Sequence, residues 1–223
     1  MRTAFLIVLA LICCTYLSTA HAMGDPISGK SKAAICEGCH GQKSNNPLAP
    51  KLGGQPYNYS LQQLIKFKNG TRESPIMKGM AAALQTEQDM EDVAAYYASQ
   101  PYQKISRNKL TAISETGESL YKQLCVMCHG ELGDGSKSKN IDPLFGGRQS
   151  QDNSTTPLIG GQPQLYLVKT LKEFRAKQRV SGKDYMMDMA LEYMSDDQIN
   201  MVASYLSSLS GGGITAGSLA KNN

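Results

Sequence analysis

The sequence has no tryptophan, only four phenylalanines and only three histidines in 223 residues. So little tryptophan and phenylalanine argues against an aromatic-rich core unless something else supplies bulk. The shortage of histidine confines imidazole chemistry to His21, His40 and His129. No run of five or more lysines and arginines exists, and the formal charge is only +4. Neither argues for a nucleic-acid partner, and none is expected. Scattered cations such as Lys66, Lys68 and Arg72 read as a solvated helix face. No stretch alternates with period 2, which leaves strands without a signal and favours an all-α fold. Beyond the first residues, no segment is apolar for the ~20 positions a spanning helix needs.

The N-terminus reads MRTAFLIVLALICCTYLSTAHA. Arg2, the apolar run from Ala4 to Leu11, and the small-x-small Ala20-His21-Ala22 have the form of a secretory signal cleaved after Ala22. Cys13 and Cys14 leave with residues 1–22. A lipoprotein site there fits poorly, because Ile12 stands where a small residue is expected. The mature chain then keeps four of its six cysteines and works outside the cytoplasm, in the periplasm.

Those four cysteines fall in Cys36-Glu37-Gly38-Cys39-His40 and Cys125-Val126-Met127-Cys128-His129. The surroundings repeat as well. Gly53–Arg72, GGQPYNYSLQQLIKFKNGTR, matches Gly160–Arg179, GGQPQLYLVKTLKEFRAKQR, without a gap. Thr86–Ser99 and Ser195–Ser208 match further on. Each half runs CxxCH, GGQP, helix, Met-rich stretch, final helix. The chain is therefore a duplication, with an N-terminal domain over 23–102, a linker over 103–112, a C-terminal domain over 113–210 and a flexible tail over 211–223. Helices are expected leading into each motif (Ser28–Cys36 and Thr116–Cys125), after each GGQP, and at each end, with Thr86 and Ser195 as N-caps. From His40 to Pro50 the chain advances ten residues, but from His129 to Pro157 it advances 28. The second half thus carries an insertion, roughly Glu131–Thr155.

Three chemistries use CxxC. A disulfide oxidoreductase needs a βαβ setting, which is missing. One zinc site closed by two CxxC pairs usually spaces them ~15–20 residues apart, whereas Cys39 and Cys125 are 86 apart. Covalent haem attachment needs two thiols one helical turn apart and the following histidine for the iron, and both motifs supply this. The expected cofactors are two haem c groups, held through Cys36, Cys39, Cys125 and Cys128 and ligated by His40 and His129. A porphyrin also gives a domain of this size, short of aromatics, the apolar centre it lacks.

With CEGCHG, CVMCHG, PKLGGQ, PLIGGQ and EQDMEDVAAYYASQ in this order, the chain resembles the dihaem class I cytochromes of the cytochrome c4 family over essentially all of its mature length. The resemblance implies two tandem class I cytochrome c domains, each wrapped around one haem. In the family, a methionine opening the stretch before the last helix is the sixth ligand. It matches Met77 in the first half, with Met80 as competitor. The second half reads YMMDMALEYM and departs from the pattern. Spacing to the cap favours Met187, with Met186 and Met189 as competitors. By the same resemblance, Pro50 and Pro157 orient the axial histidines. Tyr59 and Tyr166 either reach haem propionates or leave their hydroxyls in water. Arg72 and Arg179 either offset propionate charge or end their helices as solvent-facing cations.

The implied function is one-electron carriage without a small-molecule substrate. A cytochrome bc complex stands upstream and a terminal cytochrome oxidase downstream, with peripheral membrane association left open. The alternative is an enzyme: a dihaem peroxidase-like protein or the electron-transfer subunit of a dehydrogenase.

Overall fold

The computed structural model describes residues 24–103, 105, 111–135, 155–179 and 186–209. The expected signal peptide, the tail and most of the insertion lie outside them. Among the described residues there is no β-strand, and no helix is long and apolar enough to cross a membrane.

The first half comprises α1 (Pro26–Lys32), a 3-10 turn (Ala33–Ile35), α2 (Glu37–His40), α3 (Tyr57–Asn69), α4 (Pro75–Ala83) and α5 (Glu87–Ser99). The second comprises α6 (Ala112–Leu124), α7 (Val126–His129), α8 (Gln164–Arg175), α9 (Met186–Leu191) and α10 (Asp196–Ser208). Local chemistry sets the ends. Thr86 and Asp89 exchange backbone-to-side-chain bonds at the start of α5, and Ser195 and Gln198 do the same for α10. Each pair satisfies two otherwise orphaned donors. α6 starts earlier than the expected Thr116, because Thr111 and Ser114 form the same reciprocal cap. Its first residue, Ala112, therefore comes from the stretch read as linker.

In each half the first helix crosses the last, α1 on α5 and α6 on α10. Both crossings turn on a glycine. A Cβ on Gly29 would lie 1.9 Å from the Asp92 carbonyl oxygen, and one on Gly117 would lie 2.0 Å from that of Met201. Only glycine lets the backbones come this close. The second Gly of each GGQ has positive φ, 73° at Gly54 and 71° at Gly161. Their N–H groups donate to the carbonyls of Tyr97 and Leu206 at 2.8 and 2.7 Å. The turn after each motif is thereby pinned to the end of that half's last helix.

The two halves meet through a matched set of bonds. The buried Gln55 donates to the Leu158 carbonyl (2.7 Å) and accepts from the Leu158 N–H (3.0 Å). The buried Gln162 donates to the Lys51 carbonyl (2.9 Å) and accepts from the Lys51 N–H (2.8 Å). Lys51 and Leu158 are equivalent positions, as are Gln55 and Gln162. The interface therefore has approximate two-fold symmetry. Tyr102 and Gln103 add bonds to the Gly160 carbonyl at 2.5 and 3.0 Å.

Candidate haem sites

Cys36 and Cys125 close the helices leading into the motifs, and the next turn, α2 or α7, ends on the histidine. Among the described residues no disulfide joins the four motif cysteines. Cys39 and Cys128 are exposed, while Cys36 and Cys125 pack against the apolar cores. Burial raises the Cys36 thiol and pushes Cys125 up to about 12. Those thiols lack the depressed acidity that a disulfide exchanger needs. Among the described residues no cluster of three or more His, Cys, Asp or Glu side chains could hold a metal ion alone. That leaves no all-protein zinc site there.

His40 and His129 are buried. Nδ1 of His40 donates to the Pro50 carbonyl at 2.8 Å, and Nδ1 of His129 to that of Pro157 at 3.0 Å. Burial lowers both imidazoles' affinity for a proton, which holds them neutral. A neutral ring with Nδ1–H engaged leaves Nε2 as its free lone pair, the form that binds iron.

On the methionine side, the two halves can be registered against each other by hydrogen bonds. The Lys68 ammonium donates to the Leu84 carbonyl at 2.5 Å, and the Arg175 guanidinium to the Met194 carbonyl at 2.6 Å. Lys68 and Arg175 are equivalent in the ungapped repeat, so Leu84 and Met194 are equivalent too. Both end their methionine stretch and are buried, 7% and 6% exposed. Counting back pairs the buried Ala81 with Leu191 and Met77 with Met187. Met77 and Met187 are half-buried, whereas Met80, Met186 and Met189 are 42%, 54% and 67% exposed. The six-residue α9 has turned Met187 onto the core formed by α8 and α10.

Arg72 and Arg179 are not solvent-facing helix ends. Both are buried, and each guanidinium stacks on a phenylalanine, Arg72 on Phe67 at 4.4 Å and Arg179 on Phe174 at 4.6 Å. They converge from the two halves on Oε1 of Gln63, at 2.9 and 3.2 Å. Arg179 also donates to the Tyr59 hydroxyl at 3.0 Å, so that phenol is not simply in water. Burial alone would raise the Tyr166 hydroxyl, but the guanidiniums of Arg179 and Arg72 outweigh it and hold it below the usual phenol range. Lys68 is likewise half-buried and bonded rather than part of a solvated face.

Among the described residues no carboxylate pairs with either arginine, and Nη1 of Arg179 is buried without a partner. Two buried cations with an open donor form a seat for an anion, since an unpaired buried charge is costly. Haem propionates are anions of the right kind, so the donor set fits the group that the motifs call for. Three elements of this arrangement had no role from the sequence: the crossing glutamines, the Lys68 and Arg175 caps, and Gln63. Only the glutamines left a trace there, as the repeated third letter of GGQ.

Comparison with known proteins agrees with this architecture. A family model for cytochrome c matches residues 114–210. Cytochrome c4 of Thiocapsa roseopersicina is 34% identical over 204 residues, covering 86% of this chain and 97% of that protein. A thiosulfate dehydrogenase electron acceptor of Stutzerimonas stutzeri is 30% identical over 200 residues, covering 81% and 82%. The crystal structure of reduced recombinant cytochrome c4 from Pseudomonas stutzeri superposes with a TM-score of 0.67 at 30% identity, covering 83% of this chain and 99% of that one. Similarity of this extent, together with one CxxCH motif in each half, settles the family: the chain belongs to the cytochrome c4 family, as a dihaem c-type cytochrome that transfers electrons and is not an enzyme.

Proposed function

We propose that this cytochrome is a periplasmic one-electron carrier of a respiratory chain, taking electrons from a quinol-oxidising cytochrome bc complex or a similar donor and passing them to a terminal oxidase or reductase. Residues 23–102 and 113–210 form its two haem domains, joined by 103–112, after removal of 1–22. When bound, each haem supplies a ferric/ferrous couple. Cys36 with Cys39, and Cys125 with Cys128, hold the two groups covalently. His40 and His129 present Nε2 to the iron, with Nδ1 fixed on Pro50 and Pro157. Met77 and Met187 would each supply a thioether as the second protein ligand, leaving no position for an exogenous one. Arg72 and Arg179 neutralise propionates at the contact between the halves, and Tyr59 and Tyr166 order that cluster.

The observation that carries this reading is the common register of the two methionine stretches. The caps at Leu84 and Met194 set Met77 and Met187 at the same position, half-buried, with their competitors exposed. A thioether on both irons makes a closed site and raises the potential, which suits a carrier. The test is carbon monoxide binding to the reduced protein at neutral pH. The native protein should not react. Met77→Ala and Met187→Ala should each open one haem, and Met186→Ala neither. Binding by the native protein, or a response to Met186→Ala in place of Met187→Ala, overturns the assignment.

The similarity to an electron acceptor of thiosulfate dehydrogenase favours a second donor class, a dehydrogenase in place of a quinol-oxidising complex. Rates of reduction by the two donors, measured side by side, separate these readings.

A further inference from the structure

We propose that Gln55 and Gln162 are positioning residues acting across the domain boundary: each sets the donor strength of the axial histidine in the opposite half, and through it that haem's potential. The inference rests on His40 and His129 being the iron-bound histidines.

One peptide group carries each link. The Pro50 carbonyl and the Lys51 N–H belong to the same peptide. Its oxygen accepts from His40 Nδ1 at 2.8 Å, and its N–H donates to Gln162 Oε1 at 2.8 Å. In the other half, the Pro157 carbonyl accepts from His129 Nδ1 at 3.0 Å, and the Leu158 N–H of the same peptide donates to Gln55 Oε1 at 3.0 Å. The orientation of both glutamine amides follows from their partners. One partner can only donate and the other only accept, so Oε1 must face the N–H and Nε2 the carbonyl. Both glutamines are buried, 3% and 1% exposed, so water does not compete for these bonds.

Hydrogen bonds in such a chain polarise one another. When a peptide N–H is drawn toward an acceptor, its carbonyl oxygen gains negative charge and accepts more strongly. A stronger bond at Nδ1–H gives the imidazole more anionic character, and so makes it a better donor to ferric iron. Each glutamine therefore stabilises the ferric form of the haem in the other half. Its removal raises that haem's potential.

The sign and the location together separate a relay from ordinary structural damage. Loosening of the C-terminal half by a change at Gln162 affects the haem of that half. The relay instead moves the haem bound to His40. The variants are Gln162→Met and Gln55→Met, which keep the volume and leave the interface dry. Haem-resolved redox titration of the holoprotein should show Gln162→Met favouring reduction of the His40 haem by about three- to tenfold, tenfold being 59 mV for a one-electron couple. The His129 haem should move less, and Gln55→Met should give the mirror image.

In the ferrous state the His40 Nδ1 proton resonance should shift upfield in Gln162→Met, reporting the weaker bond. Gln162→Glu, measured with its carboxyl protonated, restores one donor and one acceptor and should restore the potential. A change confined to the variant's own half, equal in both halves, or absent overturns the relay. If a variant fails to hold haem, amide exchange in the native protein decides: slow exchange at Lys51 and Leu158 supports the bonds, and fast exchange overturns them. Absence of iron-shifted ring protons from His40 or His129 in the native protein instead overturns the ligand assignment itself.

Discussion

The two halves share one helix crossing and fasten it with different chemistry. In the first, Asp92 of α5 is buried and gathers three donors: the backbone N–H of Asp25 at 2.8 Å, the Lys32 ammonium at 2.6 Å and the Gln88 amide at 2.8 Å. In the second, the residue equivalent to Asp92 is Met201 and the one equivalent to Lys32 is Leu120. Leu120 packs against a core that includes Tyr121, Ile199, Val202 and Leu206. The first half's apolar clusters are smaller. The motif histidines, their proline partners, the crossing glutamines and the two buried arginines recur in both halves. The side chains that hold the outer helices together do not. Iron ligation tolerates one geometry, whereas a crossing can be closed by a polar or an apolar set.

The sharpest way to break the comparison is at the feature both crossings share. Gly29→Val and Gly117→Val each drive a side chain into a backbone carbonyl about 2 Å away, and no rotamer relieves it. Each should cost about 3 kcal/mol or more, at the upper end for overpacking. Thermal unfolding followed at the two haems separately should show loss first in the half that carries the change. An equal cost in both halves would locate the equivalence in the crossing rather than in what surrounds it.

The next test bears on the difference. Asp92→Ala leaves the Asp25 N–H without its acceptor and the Lys32 ammonium with only Asp89. It should destabilise the first half by about 2 kcal/mol and leave the second unchanged in denaturant titration. Acidity should separate the halves in the same direction. Burial opposes the charge on Asp92, but Lys32, Gln88 and the Asp25 N–H prevail and hold it below 3.8. The Lys32 bond and the Thr86 cap hold Asp89 below that value too. Both carboxylates therefore add stability that is complete above 3.8 and lost as the pH falls through their lower folded values. The second half offers Asp196 with Lys172 and Arg175 and the i,i+4 pairs Glu118–Lys122 and Glu173–Lys169, each with a solvent-exposed partner, and such pairs contribute little. Acid titration below pH 4 should thus loosen the first half before the second, and Asp92→Asn should remove much of that difference.

How far the sequence reached can be judged residue by residue. The duplication, the helical class and the caps at Thr86 and Ser195 follow from local spacing, because capping and periodicity act within one or two turns. Spacing to the cap also favoured Met187. The start of α6 was missed because Ser114, not Glu or Gln, completes its reciprocal cap. The burial of Arg72 and Arg179 was open, and that of Lys68 was misread, because a cation's environment depends on what the other half or a distant turn brings to it. The glutamine links join residues 103 and 111 positions apart. No pattern within one repeat states that its third letter will bind the other copy.

The smallest expected effect tests the methionine stretches. Lys68 and Arg175 reach the carbonyls that end those stretches, Leu84 and Met194. Lys68 satisfies the carbonyl of Leu84, which caps the C-terminus of α4, where the helix dipole also favours a cation, whereas Arg175 satisfies the Met194 carbonyl three residues beyond α9 and directly before the N-cap of α10. Lys68 makes a second bond to the Gln85 carbonyl at 3.1 Å, while Arg175 also pairs with the exposed Asp196. Lys68→Met and Arg175→Met should each cost about 1 kcal/mol, too little to unfold either half. The change should appear where the cap acts, as earlier loss of the methionine–iron absorption band on warming in that half alone. Arg175 holds both the Met194 carbonyl and Asp196 in the first turn of α10, tying the end of the methionine stretch to the last helix, whereas Lys68 reaches only the neighbouring carbonyls of Leu84 and Gln85. Arg175→Met should therefore lower the temperature of band loss more than Lys68→Met. A larger effect of Lys68→Met would mean that the core around Met187, and not the cap on Met194, fixes the second site.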